Sequence, residues 1–349
     1  MTTLQNGSNS NSRVSVDQEA SNDRVLIALL AIMVIGAIIQ ITLGGVVRVT
    51  ESGLGCPDWP LCHGSIIPEF EYHTMIEWSH RTAGSTIGLF FIAAVIRVWL
   101  AHRGNTFLVA ITTGSLVLII IVGGIGGAVV LSEVEPSLRT LHLALAEGVV
   151  LLSLLAFAAA FTGWRPGRVL GPAGALTRST IESAQSFRDL VTIRRIAILA
   201  AALALITLLS GSYAVWRGAG AVCPSWPLCG GSFIPESELV WIHAIHRLTA
   251  AVATLVALYT AHKTYRLSGN SSLVRLLSLG AVATVVAQVL VGAANPWSGF
   301  SEWAQAMHLS LATIMWTDLA LLAAVLIMRP YEDGNVLDTE MNQQKKVDV

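Results

Sequence analysis

The chain is 349 residues long, 54% hydrophobic and only 12% charged, with a mean hydropathy of +0.65 and a formal net charge of -1. A soluble domain carries about twice that share of charge, so the composition excludes an ordinary soluble fold. The near-neutral balance leaves no electrostatic footprint for nucleic acid, and the chain reads as a polytopic membrane protein.

In chain order, residues 1–25 are rich in Ser, Asn and Asp and are expected to form a disordered tail, without the basic start of a cleavable signal peptide. Eight stretches are then long and apolar enough to cross a bilayer: 26–47, 78–101, 107–131, 139–162, 195–215, 242–263, 274–293 and 305–328. The predicted fold class is an all-α integral membrane protein whose eight transmembrane helices form two pseudo-symmetric four-helix bundles. The N-terminal half spans 26–162 and the C-terminal half 195–328, with a basic linker at 163–194 and a tail at 329–349. Arg165, Arg168, Arg178, Arg188 and Arg194 lie in the linker, and Arg195 follows it. Residues 49–75 hold no Lys or Arg, and 216–241 hold only Arg217. The positive-inside rule therefore places both termini and the linker in the cytoplasm of a cell-membrane protein, with the two bare loops outside.

Those loops carry the whole cysteine complement, as "GCPDWPLCHG" from Gly55 and "VCPSWPLCGG" from Val222. Cys223 follows Cys56 by 167 residues, as Cys229 follows Cys62. Past the loops the offset becomes 166: "IEWSHR" (76–81) lies over "IHAIHR" (242–247), and "LHLALAE" (141–147) over "MHLSLAT" (307–313). Four spans return the chain to its starting side, so the repeat is parallel, with its axis along the membrane normal. Outside the cell, Cys56–Cys62 and Cys223–Cys229 are expected to close two separate small disulfide rings, as staples or as redox groups. Trp59 and Trp226 inside the rings either cover a bound ring system or anchor at the interface. His63 and His73 have no repeat partners and read as solvent-exposed.

His80, His142, His246 and His308 obey the repeat, and the two histidines of each half are 62 residues apart. The expected spans place all four about one turn, roughly 4–6 Å, inside the outer boundary. Two imidazoles at one depth, on two helices running the same way, suit a porphyrin iron held from both faces. Zinc fits less well, since no third or fourth ligand accompanies either pair. A lone intramembrane histidine is more often a packing residue, but four in register are costly enough in a bilayer to mark function.

The halves differ at one position: Glu77 stands where the second half has His243, each three residues before the first histidine of its pair. A carboxylate there can move protons beside a bound porphyrin or merely cap the helix; His243 reads as a supporting partner of His246 or as a bystander. Arg81 and Arg247 follow the first histidines. Each is a candidate for a porphyrin propionate or a cation reaching for the outer interface. The glycine runs "LGG" (43–45) and "GGIGG" (123–127) permit close approach of helices or of a flat ring.

The duplicated eight-span layout, "CPDWPLC", "ExxHR" at Glu77, His80 and Arg81, and "HxxHR" at His243, His246 and Arg247 resemble haem A synthase over roughly residues 26–328. The resemblance implies oxidation of the position-8 methyl of haem O to the formyl group of haem A, by two hydroxylations and loss of water, for cytochrome oxidase. It implies substrate haem O in the first half, with His80, His142 and Glu77, and a haem b cofactor passing electrons in the second, with His246 and His308. The partners implied are haem O synthase (protohaem farnesyltransferase), cytochrome oxidase assembly factors, and a membrane quinol or other electron donor. Cysteine pairs in both outer loops mark a subgroup of the family. Competing readings are a di-haem b electron carrier, a thiol–quinone oxidoreductase and a haem-binding chaperone. The unmatched Glu77 and the four histidines set them apart from the synthase.

Overall fold

The computed structural model describes residues 23–133, 136–164, 178–229, 237–268 and 271–328; the expected N-terminal tail up to residue 22, residues 165–177 of the basic linker and the C-terminal tail lie outside the described residues. Eight helices follow in order: α1 (Arg24–Val49), α2 (Tyr72–Ala101), α3 (Thr106–Leu131), α4 (Pro136–Thr162), α5 (Arg178–Trp216), α6 (Glu238–Leu267), α7 (Ser272–Trp297) and α8 (Glu302–Met328). Each contains a segment long and apolar enough to span a membrane, and no strand is present among the described residues. The expected all-α class with eight spans is what forms.

Helix starts carry side-chain caps that satisfy otherwise orphaned backbone N–H groups. Asp23 Oδ1 accepts from Leu26 N at 3.0 Å, Glu71 Oε2 from Thr74 N at 2.8 Å, and Asn105 Oδ1 from Leu108 N at 3.1 Å. The Glu71 cap lets α2 begin at Tyr72, six residues before the apolar stretch that marked the span. Likewise α5 begins at Arg178, so residues 178–194 of the expected linker extend the fifth span as helix. The other oxygen of Asp23 accepts from Arg97 Nε at 2.9 Å and His102 Nε2 at 2.7 Å, tying the start of α1 to the end of α2. Burial raises the Asp23 pKa, but the hydrogen bonds from His102, Leu26 N–H and Arg97 outweigh it and bring the carboxyl down to about 2.

Neighbour relations close two squares. α1 packs on α2, α2 on α3, α3 on α4 and α4 back on α1; α5 through α8 repeat the same circuit. The halves meet through α1 with α8, α4 with α5, and α4 with α8. Exchange of the halves maps the first two junctions onto each other and the third onto itself, as a two-fold axis between α4 and α8 requires. Small residues line these seams, including Ala156, Ala160, Ala200, Ala204 and Ala320, which join one buried cluster running through both halves. Lipid is as apolar as leucine, so close backbone approach at small residues holds such helices together. Leu89, Ile120, Leu255 and Leu276 stay exposed on the outside, where hydrocarbon would cover them.

At the axis, Thr313 Oγ1 donates to Glu147 Oε1 at 2.7 Å; both residues are buried, and they stand one repeat apart. The second carboxylate oxygen, Glu147 Oε2, has no hydrogen-bond partner among the described residues.

Candidate functional site

All four repeated histidines sit on even-numbered helices, as expected. His80 and His246 lie eight residues beyond the first residues of α2 and α6, and His142 and His308 six beyond those of α4 and α8. At 1.5 Å rise per residue that is roughly 9–12 Å from each helix start. These helices begin before the expected spans, in turns too polar to count as span; Glu71 caps the start of α2 and Ser237 that of α6.

Each imidazole rests against a glycine of the preceding helix. A Cβ added at Gly44 would stand 3.2 Å from His80 Cε1, at Gly126 3.1 Å from His142 Cε1, at Gly211 2.8 Å from His246 Cε1, and at Gly292 3.1 Å from His308 Cε1. Gly44 and Gly211 are 167 residues apart, and Gly126 and Gly292 166, so the cradle is part of the repeat. Polar neighbours fix the rings from the side. Gln40 Nε2 lies 3.1 Å from His80 Nδ1, Ser210 Oγ 3.0 Å from His246 Nδ1, and Gln288 Nε2 3.2 Å from His308 Nδ1. An imidazole whose Nδ1–H goes to a neighbouring oxygen presents Nε2 as its free lone pair, the arrangement typical of metal-binding histidine. The Ser210 hydroxyl offers that oxygen to His246.

The ring centres of His246 and His308 are 6.5 Å apart. Two imidazoles held in line on one metal by nitrogen bonds of about 2 Å would place their ring centres about 6 Å apart. The C-terminal pair thus has the separation of a single axially ligated iron. In the N-terminal pair, His142 lies within electrostatic range of His80. Among the described residues, no group of three or more His, Cys, Asp or Glu side chains is placed to hold a bare metal ion; a metal held by such a histidine pair would take its remaining ligands from a bound group, as an iron does from a porphyrin.

Above each pair lies the disulfide loop. Cys56–Cys62 and Cys223–Cys229 form as two local bridges with Cα separations of 4.6 and 4.7 Å, the pairing expected from the sequence. Asp58 braces the first ring by accepting from His63 N at 2.6 Å and Gly64 N at 2.8 Å. The Gly64 N–H, followed by that of His63, holds the Asp58 carboxyl below the ordinary carboxylate range. Trp59 lies against α3 at Gly127, where an added Cβ would stand 2.7 Å from its ring, and Trp226 meets Trp297 edge-on at 5.9 Å. His63 and His73 are exposed, bound to Gly55 O and Ser52 Oγ at 3.0 Å each.

Arg81 and Arg247 fasten these loops. Arg81 Nη1 donates to the carbonyls of Asp58 at 2.6 Å and Leu61 at 2.8 Å, and Nη2 to that of Cys56 at 2.7 Å. Arg247 repeats the pattern on the carbonyls of Ser225 at 2.8 Å, Pro227 at 3.0 Å and Cys223 at 3.2 Å. The sequence offered a propionate or the outer interface for these two side chains; among the described residues they donate to the lid carbonyls. Arg81 Nε also donates to Glu77 Oε1 at 2.9 Å, so the buried carboxylate hangs from the lid through one guanidinium. In the other half, His243 Nδ1 lies 2.8 Å from the carbonyl of Ala219, and its ring centre is 6.4 Å from that of His246.

Sequence reasoning missed Gln40, Ser210, Gln288 and the role of the four cradle glycines. The glycine pairs share the repeat offset and were legible in principle. It also missed two arginines at the seam. Arg48 lies in the last turn of α1, and the guanidinium of Arg139 on α4 stacks 4.2 Å over the Trp216 ring of α5. Their repeat positions hold Val215 and Gln305.

The fold and site together define a duplicated membrane protein with one histidine pair per four-helix half, each pair beneath a disulfide-closed loop. Residues 27–320 match the COX15-CtaA family model, described as Cytochrome oxidase assembly protein, and the chain belongs to that family. It is similar to the Heme A synthase of Symbiobacterium thermophilum, 30% identical over 281 residues covering 80% of this chain and 88% of the relative. The Heme A synthase of Exiguobacterium sibiricum is 27% identical over 306 residues, 86% of this chain and 95% of the relative. That of Shouchella clausii is 29% identical over 273 residues, 73% and 84% respectively.

Proposed function

We propose that this multi-pass membrane protein is a haem A synthase, an oxidoreductase that converts the position-8 methyl of haem O to a formyl group for cytochrome oxidase. The observation that carries the reading is asymmetry within symmetry: two matched histidine pairs, with a buried carboxylate, Glu77, beside only one of them. An electron carrier needs both pairs but has no use for an acid confined to one half. A thiol–quinone enzyme leaves the four histidines without a purpose.

In this reading His80 and His142 hold substrate haem O, and Glu77, one helical turn before His80, takes or delivers protons at the oxidised carbon. Arg81 holds that carboxylate in place and couples it to the lid. His246 and His308 hold haem b, which supplies single-electron transfer when bound. Gly211 and Gly292 make room for the two rings, while Ser210 and Gln288 set their orientation. The outer loops face outside, consistent with lasting disulfides and with the cytoplasmic bias of Lys and Arg. A membrane reductant such as a quinol supplies the electrons, and a farnesyltransferase that makes haem O supplies the substrate.

The test is mass analysis of porphyrins extracted after expression with a haem O source. Haem O together with hydroxylated and formyl derivatives supports the synthase; haem b alone makes the protein a cytochrome. His246→Ala should remove haem b from the second half and stop haem A formation.

A further inference from the structure

We infer that Arg48, from the N-terminal half, grips the propionate edge of the haem held by His246 and His308 in the C-terminal half. This rests on the assignment of that histidine pair to a haem.

The geometry begins at the α1–α8 seam. Gly45 of α1 lies so close to α8 that an added Cβ would stand 3.1 Å from Leu309 Cδ2, and Leu309 is the neighbour of His308. Arg48 follows Gly45 by one turn toward the outer end of α1, and it lies within electrostatic range of His308. Its Nε is buried without a hydrogen-bond partner among the described residues. A guanidinium nitrogen buried without a partner on a half-buried cation is unfavourable, and in a membrane protein such a cation points to an anion that belongs beside it. Porphyrins of the b and O types carry two carboxylates on one edge, and a guanidinium fork pairs with carboxylate bidentately. Of the other arginines near the sites, Arg81 and Arg247 donate to loop carbonyls, and Arg139 stacks over Trp216 beside the N-terminal pair.

The repeat makes the contact one-sided. Position 48 corresponds to Val215, so the C-terminal half sends no matching cation to the first site. The second haem is therefore held across the seam, with its propionate edge turned toward the N-terminal half. A fixed cation there favours the ferrous state, which carries one positive charge fewer, and raises the reduction potential of that haem alone.

The experiment uses the full-length protein purified with its native haem. The second-site signal is defined as the absorbance lost in His246→Ala. Arg48→Gln should release that haem about tenfold faster to a soluble haem acceptor, one charge-assisted hydrogen bond's worth. It should also lower the midpoint potential, with Arg48→Lys intermediate in both. Arg217→Gln removes an exposed charge paired with Glu238 at 2.8 Å and should change neither. Parental release and potential in Arg48→Gln, with the signal still lost in His246→Ala, would overturn the inference and leave the haem assignment intact. Persistence of the signal in His246→Ala would overturn that assignment, and the inference with it. If Arg48→Gln does not accumulate, reconstitution of the parental protein with the dimethyl ester of haem decides. The ester should be held as weakly as the free acid is in Arg48→Lys or more weakly, and parental retention of the ester refutes the role of Arg48.

Discussion

Alanine at Gly211 would bring a methyl carbon to 2.8 Å from His246 Cε1 and 3.3 Å from its Nδ1. Real Cβ atoms do not approach so closely, so the imidazole must swing away by more than half an ångström, roughly the gap to ordinary van der Waals contact. That movement pulls Nδ1 from Ser210 Oγ, now 3.0 Å away, and turns the ring out of line with His308. Overpacking of this kind costs about 1–3 kcal/mol. Charged to haem binding, that is about a 5- to 150-fold loss of affinity. Gly→Ala inside a helix also gains about 1 kcal/mol of intrinsic propensity, so global stability is the wrong readout and haem content the right one. Gly123→Ala shares the propensity gain, but its Cβ would meet nothing within 4 Å. The assay is the haem-to-protein ratio and reduced spectrum of purified variants. Gly211→Ala should lose second-site haem most, Gly44→Ala at 3.2 Å should perturb the first site more mildly, and Gly123→Ala should match the parent. Parental haem content in Gly211→Ala would show that the ring does not depend on the glycine cradle.

Glu77→Gln keeps the size of the side chain and removes its charge; it should abolish haem A formation while both halves stay loaded, and parental haem A would reduce Glu77 to a helix-end residue. Mild reduction of the disulfides, whose partners are six residues apart, should relieve about 2 kcal/mol of loop constraint and speed amide exchange around 56–62 and 223–229; unchanged exchange would show that the arginine contacts alone hold the loops. Asp23 has a folded-state pKa lowered to about 2 from 3.8, so its contribution is complete above about pH 4 and is lost as the pH falls through 2. In detergent, the parental melting temperature should therefore fall more steeply than that of Asp23→Asn between about pH 4 and 2, and parallel curves would refute the tie between α1 and α2.

The spans, the parallel repeat, the histidine pairs and the local disulfides were legible because each leaves a mark in composition or spacing. Helix starts were less so. Tyr72 and Glu238 open turns too polar for a hydropathy reading, yet Glu71 and Ser237 cap them. What Arg81 binds could not be read from its neighbours in sequence, since its acceptors lie 20–25 residues away in a loop whose path depends on the disulfide. Arg48 was hidden differently. Apolar periodicity does not separate a lipid-facing side from a seam, so nothing local announces that α1 touches α8. The clue lay in comparing the halves, where a charge stands opposite Val215.

The Glu147–Thr313 contact bears on why two bundles share one polypeptide. In a dimer of identical four-helix subunits, a residue on the symmetry axis meets its own copy. Position 147 would face another glutamate, two carboxyls crowded in a dry seam, or a threonine would face a threonine. An acid given a hydroxyl donor from the equivalent position requires two copies free to diverge, and fusion into one chain also guarantees that each unlike half always meets the other. Covalent linkage is thus what lets the protein keep an acid at position 77, and seam cations at positions 48 and 139, in one half alone, without ever assembling two halves of the same kind.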